Sequence, residues 1–323
     1  MTLGFRALHW VIKVGDRTST VEFLHDVLGM HALRHEEFED GCKAACNGPY
    51  DGKWSKTMIG YGPEDTNFVL ELTYTYGIKS YEVGNDLGYI KIKSRSAYNL
   101  ISERGLGRQL EMRTIEVKSP VEGYRFRVVG EDPAPDVGSI ASVCLHVTDL
   151  KDSLAFWVDT LGFLEIDRGD GEGSNGLHGT GGGGNGDGEG EIFATLSCAA
   201  TSATLRLVQM RHGEKLHRGT GYGRLALACP TEDLEQLQEN VKSAGFEVKT
   251  PLVSLDTPGK ATVHVVIVAD PDGHEVCFVG EEAFRKLSKE DENAPQLLGE
   301  GIAKDSSREW FKKKAEEEKA KGT

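Results

Sequence analysis

VGDRTSTVEFLHDVLGM, residues 14–30, returns at 147–163 as VTDLKDSLAFWVDTLGF. Asp16, Phe23, Asp26, Leu28 and Gly29 stand against Asp149, Phe156, Asp159, Leu161 and Gly162, each pair 133 residues apart. In both copies an alternating apolar stretch (8–14 and 143–147) leads to an Asp suited to cap a helix. About three amphipathic turns follow, carried by Val21, Leu24 and Leu28 or by Leu154, Trp157 and Leu161, and end at a Gly that can take a C-terminal cap. The repeat therefore predicts a strand-helix unit, with further strands at 68–74 and 204–208.

Working outward, GYIKI at 88–92 resembles GRLAL at 223–227, and each runs into a helical stretch, 98–104 and 234–244. Each of these units closes on a turn, Ser119-Pro120-Val121-Glu122-Gly123 or Asp270-Pro271-Asp272-Gly273, whose Pro and Gly suit reversal between strands. The chain thus reads as four strand-helix-strand-strand-strand modules, an α+β fold in two domains at 5–131 and 139–281. An acidic, Pro-rich linker lies at 132–138, and a helical C-terminal tail at 282–323, whose end EWFKKKAEEEKAKGT reads as a solvated helix.

The length of 323 residues suits two domains, and 38% hydrophobic residues are enough for a core in each. A formal net charge of -14 argues against a nucleic-acid or anionic-membrane binder, whose contacts need clustered Lys and Arg. No apolar run approaches the roughly 20 residues a membrane helix needs. The N-terminal stretch has no room for a secretory or mitochondrial presequence. Six scattered cysteines read as free thiols in a reducing compartment, and the close pair Cys42 and Cys46 as two ordinary thiols rather than a zinc knuckle. At 169–190, 12 of 22 residues are Gly, which predicts a disordered loop inserted in the second domain. Its one GxGxxG match lacks the helix a nucleotide site requires.

Two polar residues interrupt apolar strands. His9 lies in the first, and Glu71 sits between Leu70 and Leu72. Projected from the concave face of a curved sheet, an imidazole and a carboxylate can hold a divalent metal. The alternative is a hydrogen-bonded core histidine and an ion-paired glutamate. No GxSxG elbow or comparable nucleophile setting is present.

RALHWVIKVGDRTSTVEFLHDVLGMHALR (6–34), FVLELTYTYGIKSYEVGNDLGYI (68–90) and ADPDGHEVCFVG (269–280) resemble glyoxalase I (lactoylglutathione lyase) and the vicinal-oxygen-chelate superfamily. The resemblance implies tandem domains, each of two βαβββ modules with curved mixed sheets. It also implies a metal held by four ligands from two facing modules, and a Glu that removes a proton from the methylglyoxal-glutathione hemithioacetal. Two ligand positions fall on His9 and Glu71, the latter doubling as catalytic base. The other two fall on Arg224 and Cys277, so the set is incomplete, and Arg224 is expected to pair with Glu71. The second potential site has Ser142, Arg206, Tyr89 and Arg127 at its positions. The substrate-binding candidates are thus Arg224, Cys277, Tyr89, Arg127 and Arg206.

The residues and the resemblance together predict a glyoxalase-like protein whose incomplete metal site binds a small anionic or carbonyl metabolite. One alternative is an active lactoylglutathione lyase-like enzyme with Zn or Ni, taking glutathione as part of its substrate. The other is a non-catalytic scaffold with a protein partner. The expected location is the cytoplasm, with mitochondrial association allowed, as a monomer or dimer.

Overall fold

Asp16 and Asp149 both cap a helix. Asp16 Oδ1 accepts from the Ser19 amide at 3.0 Å, and Asp149 Oδ1 from the Asp152 amide at 3.1 Å. They open α1 (Arg17–Asp26) and α3 (Leu150–Leu154) in a computed structural model that describes residues 4–134, 138–171, 190–198, 203–256 and 262–321.

Four modules follow one another. The first holds β1 (Arg6–Lys13), α1, β2 (His31–Phe38), β3 (Trp54–Gly60) and β4 (Val69–Thr75). The second holds β5 (Leu87–Lys93), α2 (Arg95–Glu103), β6 (Arg108–Glu111), β7 (Thr114–Lys118) and β8 (Arg125–Val129). The third holds β9 (Ile140–Val147), α3, β10 (Leu164–Asp170), β11 (Ile192–Ser197) and β12 (Thr204–Gln209). The fourth holds β13 (Arg224–Cys229), α4 (Leu234–Ser243), β14 (Glu247–Asp256), β15 (Thr262–Ala269) and β16 (Glu275–Gly280).

The strands form two eight-stranded mixed sheets, and each sheet takes one module from each half of the chain. One runs β14-β15-β16-β13-β1-β4-β3-β2, the other β10-β11-β12-β9-β5-β8-β7-β6. The seams are antiparallel, β1 on β13 and β5 on β9. Gly223 makes the first seam close, since a Cβ there would lie 2.5 Å from the Trp10 ring and 2.6 Å from the Val11 carbonyl oxygen. Alternation along β1 sends Trp10 and Ile12 into the main core with Phe5 and Val14. Each such buried side chain contributes about 1.5–3 kcal/mol.

The second copy of the repeat departs from the predicted helix. After α3 the chain widens into a π-turn over Ala155–Thr160, with the Leu161 amide bonded to Phe156 O at 3.0 Å. Phe156 and its neighbour Trp157 both reach zero exposure there, whereas adjacent positions on a regular helix point about 100° apart.

The reading of Cys42 and Cys46 as separate thiols is corrected, because the two are joined as a disulfide. Cys144, Cys198, Cys229 and Cys277 are free. The Gly-rich stretch lies outside the described residues from 172 to 189, and its ends close the β10–β11 hairpin. Beyond β16 come α5 (Glu281–Leu287), α6 (Ala294–Ala303) and α7 (Ser307–Lys321). α6 lies on β2, with Ala294 and Leu298 buried, while α7 is largely exposed over residues 308–317. Among the described residues no helix is long and apolar enough to cross a membrane.

Candidate functional site

A cavity of about 460 Å³ opens on one face of the first sheet, astride the β1–β13 seam. A bulge in β1 shapes its floor. Ala7 pairs with Leu227 and His9 with Ala226, which leaves Leu8 as an extra residue. Leu8 accordingly packs with Ala226, Ala228 and Val279, and His9, next in the chain, also lines the cavity. Glu71 arrives from β4, and Arg224 and Cys277 come from β13 and β16.

His9 stands between two carboxylates. Its Nδ1 lies 2.6 Å from Glu64 Oε1, and its Nε2 lies 3.3 Å from Glu71 Oε2. Burial alone would raise the Glu64 carboxyl, but the charge and hydrogen bond of His9, with Arg34 and Lys56, outweigh it and hold the group below the usual carboxylate range. A carboxylate can only accept, so Nδ1 donates to Glu64 and Nε2 is the atom turned toward Glu71. The other oxygen of Glu71 accepts from the Thr73 hydroxyl at 3.3 Å.

Arg224 does not pair with Glu71. Its Nε and Nη2 donate to Glu275 Oε2 at 2.9 and 2.6 Å, and Nη1 donates to the Ala44 carbonyl at 3.1 Å. The register explains the choice, because Glu275 is the direct cross-strand partner of Arg224. Burial pushes the Cys277 thiol up to about 11, with Arg224 opposing only in part. The four positions that the resemblance implies line one cavity, with Arg224 engaged by Glu275 and Ala44. His9 and Glu71 are sound metal donors, but across from them stand a guanidinium fixed to Glu275 and a protonated thiol. The same guanidinium, with five N–H donors and three of them engaged, suits an oxyanion.

The cavity lining carries both signs of charge. The β1–β13 side presents Lys13 and Arg224, and the β2–β3 wall and the loop after β2 present Glu36, Glu37, Glu39 and Asp40 interleaved with Arg34, Lys43 and Lys56. The expected basic character is therefore offset by carboxylates on the β2 side.

Comparison with known proteins gives this geometry a family. Residues 188–287 match the family model described as glyoxalase domain-containing protein 4-like, C-terminal domain. Glyoxalase domain-containing protein 4 of Rattus norvegicus is 45% identical over 95% of both chains. The chain belongs to the glyoxalase domain-containing protein 4 family. Glyoxalase 1 of Caenorhabditis elegans is 44% identical, over 95% of this chain and 99% of that one. In fold, the chain matches glyoxalase I from Zea mays with a TM-score of 0.70 at 24% identity, covering 88% of this chain and 95% of that one. The vicinal-oxygen-chelate architecture expected from the resemblance is therefore shown.

The second sheet of this family member brings Tyr89, Arg127, Arg206 and Ser142 to one region. Arg127 lies 3.9 Å over the Tyr89 ring and is bonded to Glu116 at 3.3 Å, while Arg206 lies 3.4 Å over Phe193 and 2.8 Å from Glu191. Ser142 is buried at the β9–β12 pairing, opposite Thr204. An Asp270, Asp272 and His274 group also has metal-ligand chemistry. Asp270 there accepts from the Asp272 and His274 amides and the Trp157 indole, and Asp272 from the Thr148 amide, which ties the β15–β16 turn to the third module.

Sequence reasoning missed Glu64, Lys13 and Glu275. Glu64 sits in a loop with no periodic signal. Lys13 had one, since i, i+2 and i+4 along a strand share a face with His9.

Proposed function

We propose that this cavity binds a small anionic or carbonyl metabolite, with His9 and Glu71 available to move a proton on it. The observation that carries the reading is the placement of His9 Nε2 3.3 Å from Glu71 in a cavity that also presents Arg224. Glu71 can take a proton from a carbon beside a carbonyl, and an unengaged N–H of Arg224 can meet the oxygen that gains charge. Glu64 keeps the imidazole ring turned toward Glu71.

Thermal unfolding in the presence of 2-oxo and 2-hydroxy acids tests this. A ligand at about 100 times its Kd stabilises by about 2.7 kcal/mol, and Arg224→Ala is expected to remove most of that gain. No stabilisation by any such compound, or full stabilisation in Arg224→Ala, would sink the proposal and leave the scaffold reading in place.

The relative named Glyoxalase 1 favours a second reading, lactoylglutathione lyase-like turnover. Consumption of the hemithioacetal of methylglyoxal and glutathione, with and without added Zn or Ni, decides it. Turnover that disappears in Glu71→Gln would establish the enzyme.

A further inference from the structure

The face of β1 that carries His9 also carries Lys13, the last residue of the strand. Lys13 is 3% exposed, yet its side chain lines the cavity. Its Nζ lies 3.6 Å over the centre of the Tyr222 ring and donates one long hydrogen bond, 3.4 Å, to the Thr220 carbonyl. No carboxylate among the described residues comes within ion-pair distance of it. A lysine this deeply buried ordinarily has such a partner.

We propose that Lys13 is an imine-forming residue, its ε-amine condensing with the carbonyl group of small aldehydes that enter the cavity. The inference rests on the reading of the cavity as a site for carbonyl metabolites, and it names the group that would engage them covalently. The Nζ lone pair adds to the carbonyl carbon as the oxygen takes up a proton. The carbinolamine then loses water to leave a C=N bond, with no change of oxidation state. Arg224 suits an anionic group on the same aldehyde.

The surroundings of Nζ raise the share of the neutral amine that this addition requires. Burial and the Arg224 charge lower the Lys13 ammonium from 10.5 to about 8, with Arg218 adding to the effect and Glu275 and Asp86 opposing it. At pH 7 about one amine in ten is then neutral, against roughly one in 3,000 for a lysine at 10.5. Tyr222 on one side and the Thr220 carbonyl on another hold the group in place, which reduces the freedom lost on addition.

Reductive trapping tests the proposal on the full chain. The protein is incubated with glyoxylate and cyanoborohydride, a hydride donor that reduces C=N to C–N, and the carboxymethyl groups are located by peptide mass spectrometry. Lys13 is expected to be labelled at least about tenfold faster than the exposed Lys118 at pH 7, with a rate that rises to a plateau above about pH 8. Labelling no faster than at Lys118, or a rate still climbing at pH 10, overturns the proposal. Lys13→Arg keeps the charge over Tyr222 and is expected to abolish the fast labelling, leaving only slow labelling of the other cavity lysines, Lys43 and Lys56. Absent label beside intact stabilisation by 2-oxo acids overturns the imine alone, whereas loss of both overturns the binding reading as well.

Discussion

His9 Nδ1 and Glu64 Oε1 are 2.6 Å apart in the interior, 55 positions apart in the chain. Glu64 is buried to 2% exposure and also faces Arg34 at 3.5 Å, so its removal leaves His9 Nδ1 without its acceptor and takes one of two carboxylates from the Arg34 guanidinium, which keeps the Leu287 carbonyl and Glu36. Glu64→Ala is expected to lower the unfolding free energy by about 3–5 kcal/mol. Urea unfolding gives the number, and a loss below about 1 kcal/mol would show that the pair does not hold the site together.

The β1–β13 seam leaves no room for a methyl group at Gly223. A Cβ there would press on the Trp10 ring and on the Val11 backbone, and neither can rotate away. Gly223→Ala should therefore destabilise by about 1–3 kcal/mol, the usual effect of overpacking. Because the shift opens the seam beneath the cavity, the variant should also lose ligand-induced stabilisation. Retention of both properties would contradict the seam as described.

Cys42 and Cys46 close a loop of five residues, themselves included, in the segment that walls the cavity. Chain-entropy arithmetic for so short a loop gives about 2 kcal/mol of stabilisation. Dithiothreitol, or Cys42→Ser, is expected to lower the unfolding free energy by that order. Ala44, inside the loop, holds Arg224, so anion affinity should fall too. Alkylation of both thiols in unreduced protein would refute the pairing.

Acid should weaken the first module through Glu37. Burial would raise its carboxyl, but hydrogen bonds from His35 and Arg17 with the Arg17 charge bring it from 4.5 down to about 2. A folded-state value below the unfolded one means that the stabilisation is complete above about pH 4.5 and is lost as pH falls toward 2. The urea midpoint of the wild type should drop across that window, and Glu37→Gln should flatten the drop. Parallel profiles for the two proteins would count against it.

The repeat at 14–30 and 147–163 was enough to read the modules, because caps, amphipathic turns and alternating strands are local signals. The mating of the first module with the fourth came from the family resemblance, since local pattern says nothing about which sheet edges meet. His9 and Glu71 were legible as polar breaks in apolar strands. The Arg224–Glu275 pair was missed because it depends on the register of β13 against β16, where a one-residue slip would turn Glu275 away. Glu64 was missed because a loop carries no periodicity, and the disulfide because a C-x3-C spacing does not determine whether two sulfurs meet.

Joining the first module to the fourth has a temporal consequence during synthesis. When β4 is complete, its sheet still lacks β13, on the order of 150 residues downstream, and at about 5–20 residues per second that strand arrives roughly 10–30 s later. Until then the edge of β1 is open to wrong pairing. The modules that form the second sheet are neighbours in the chain and can close first, so the cavity is among the last features of the nascent protein to exist.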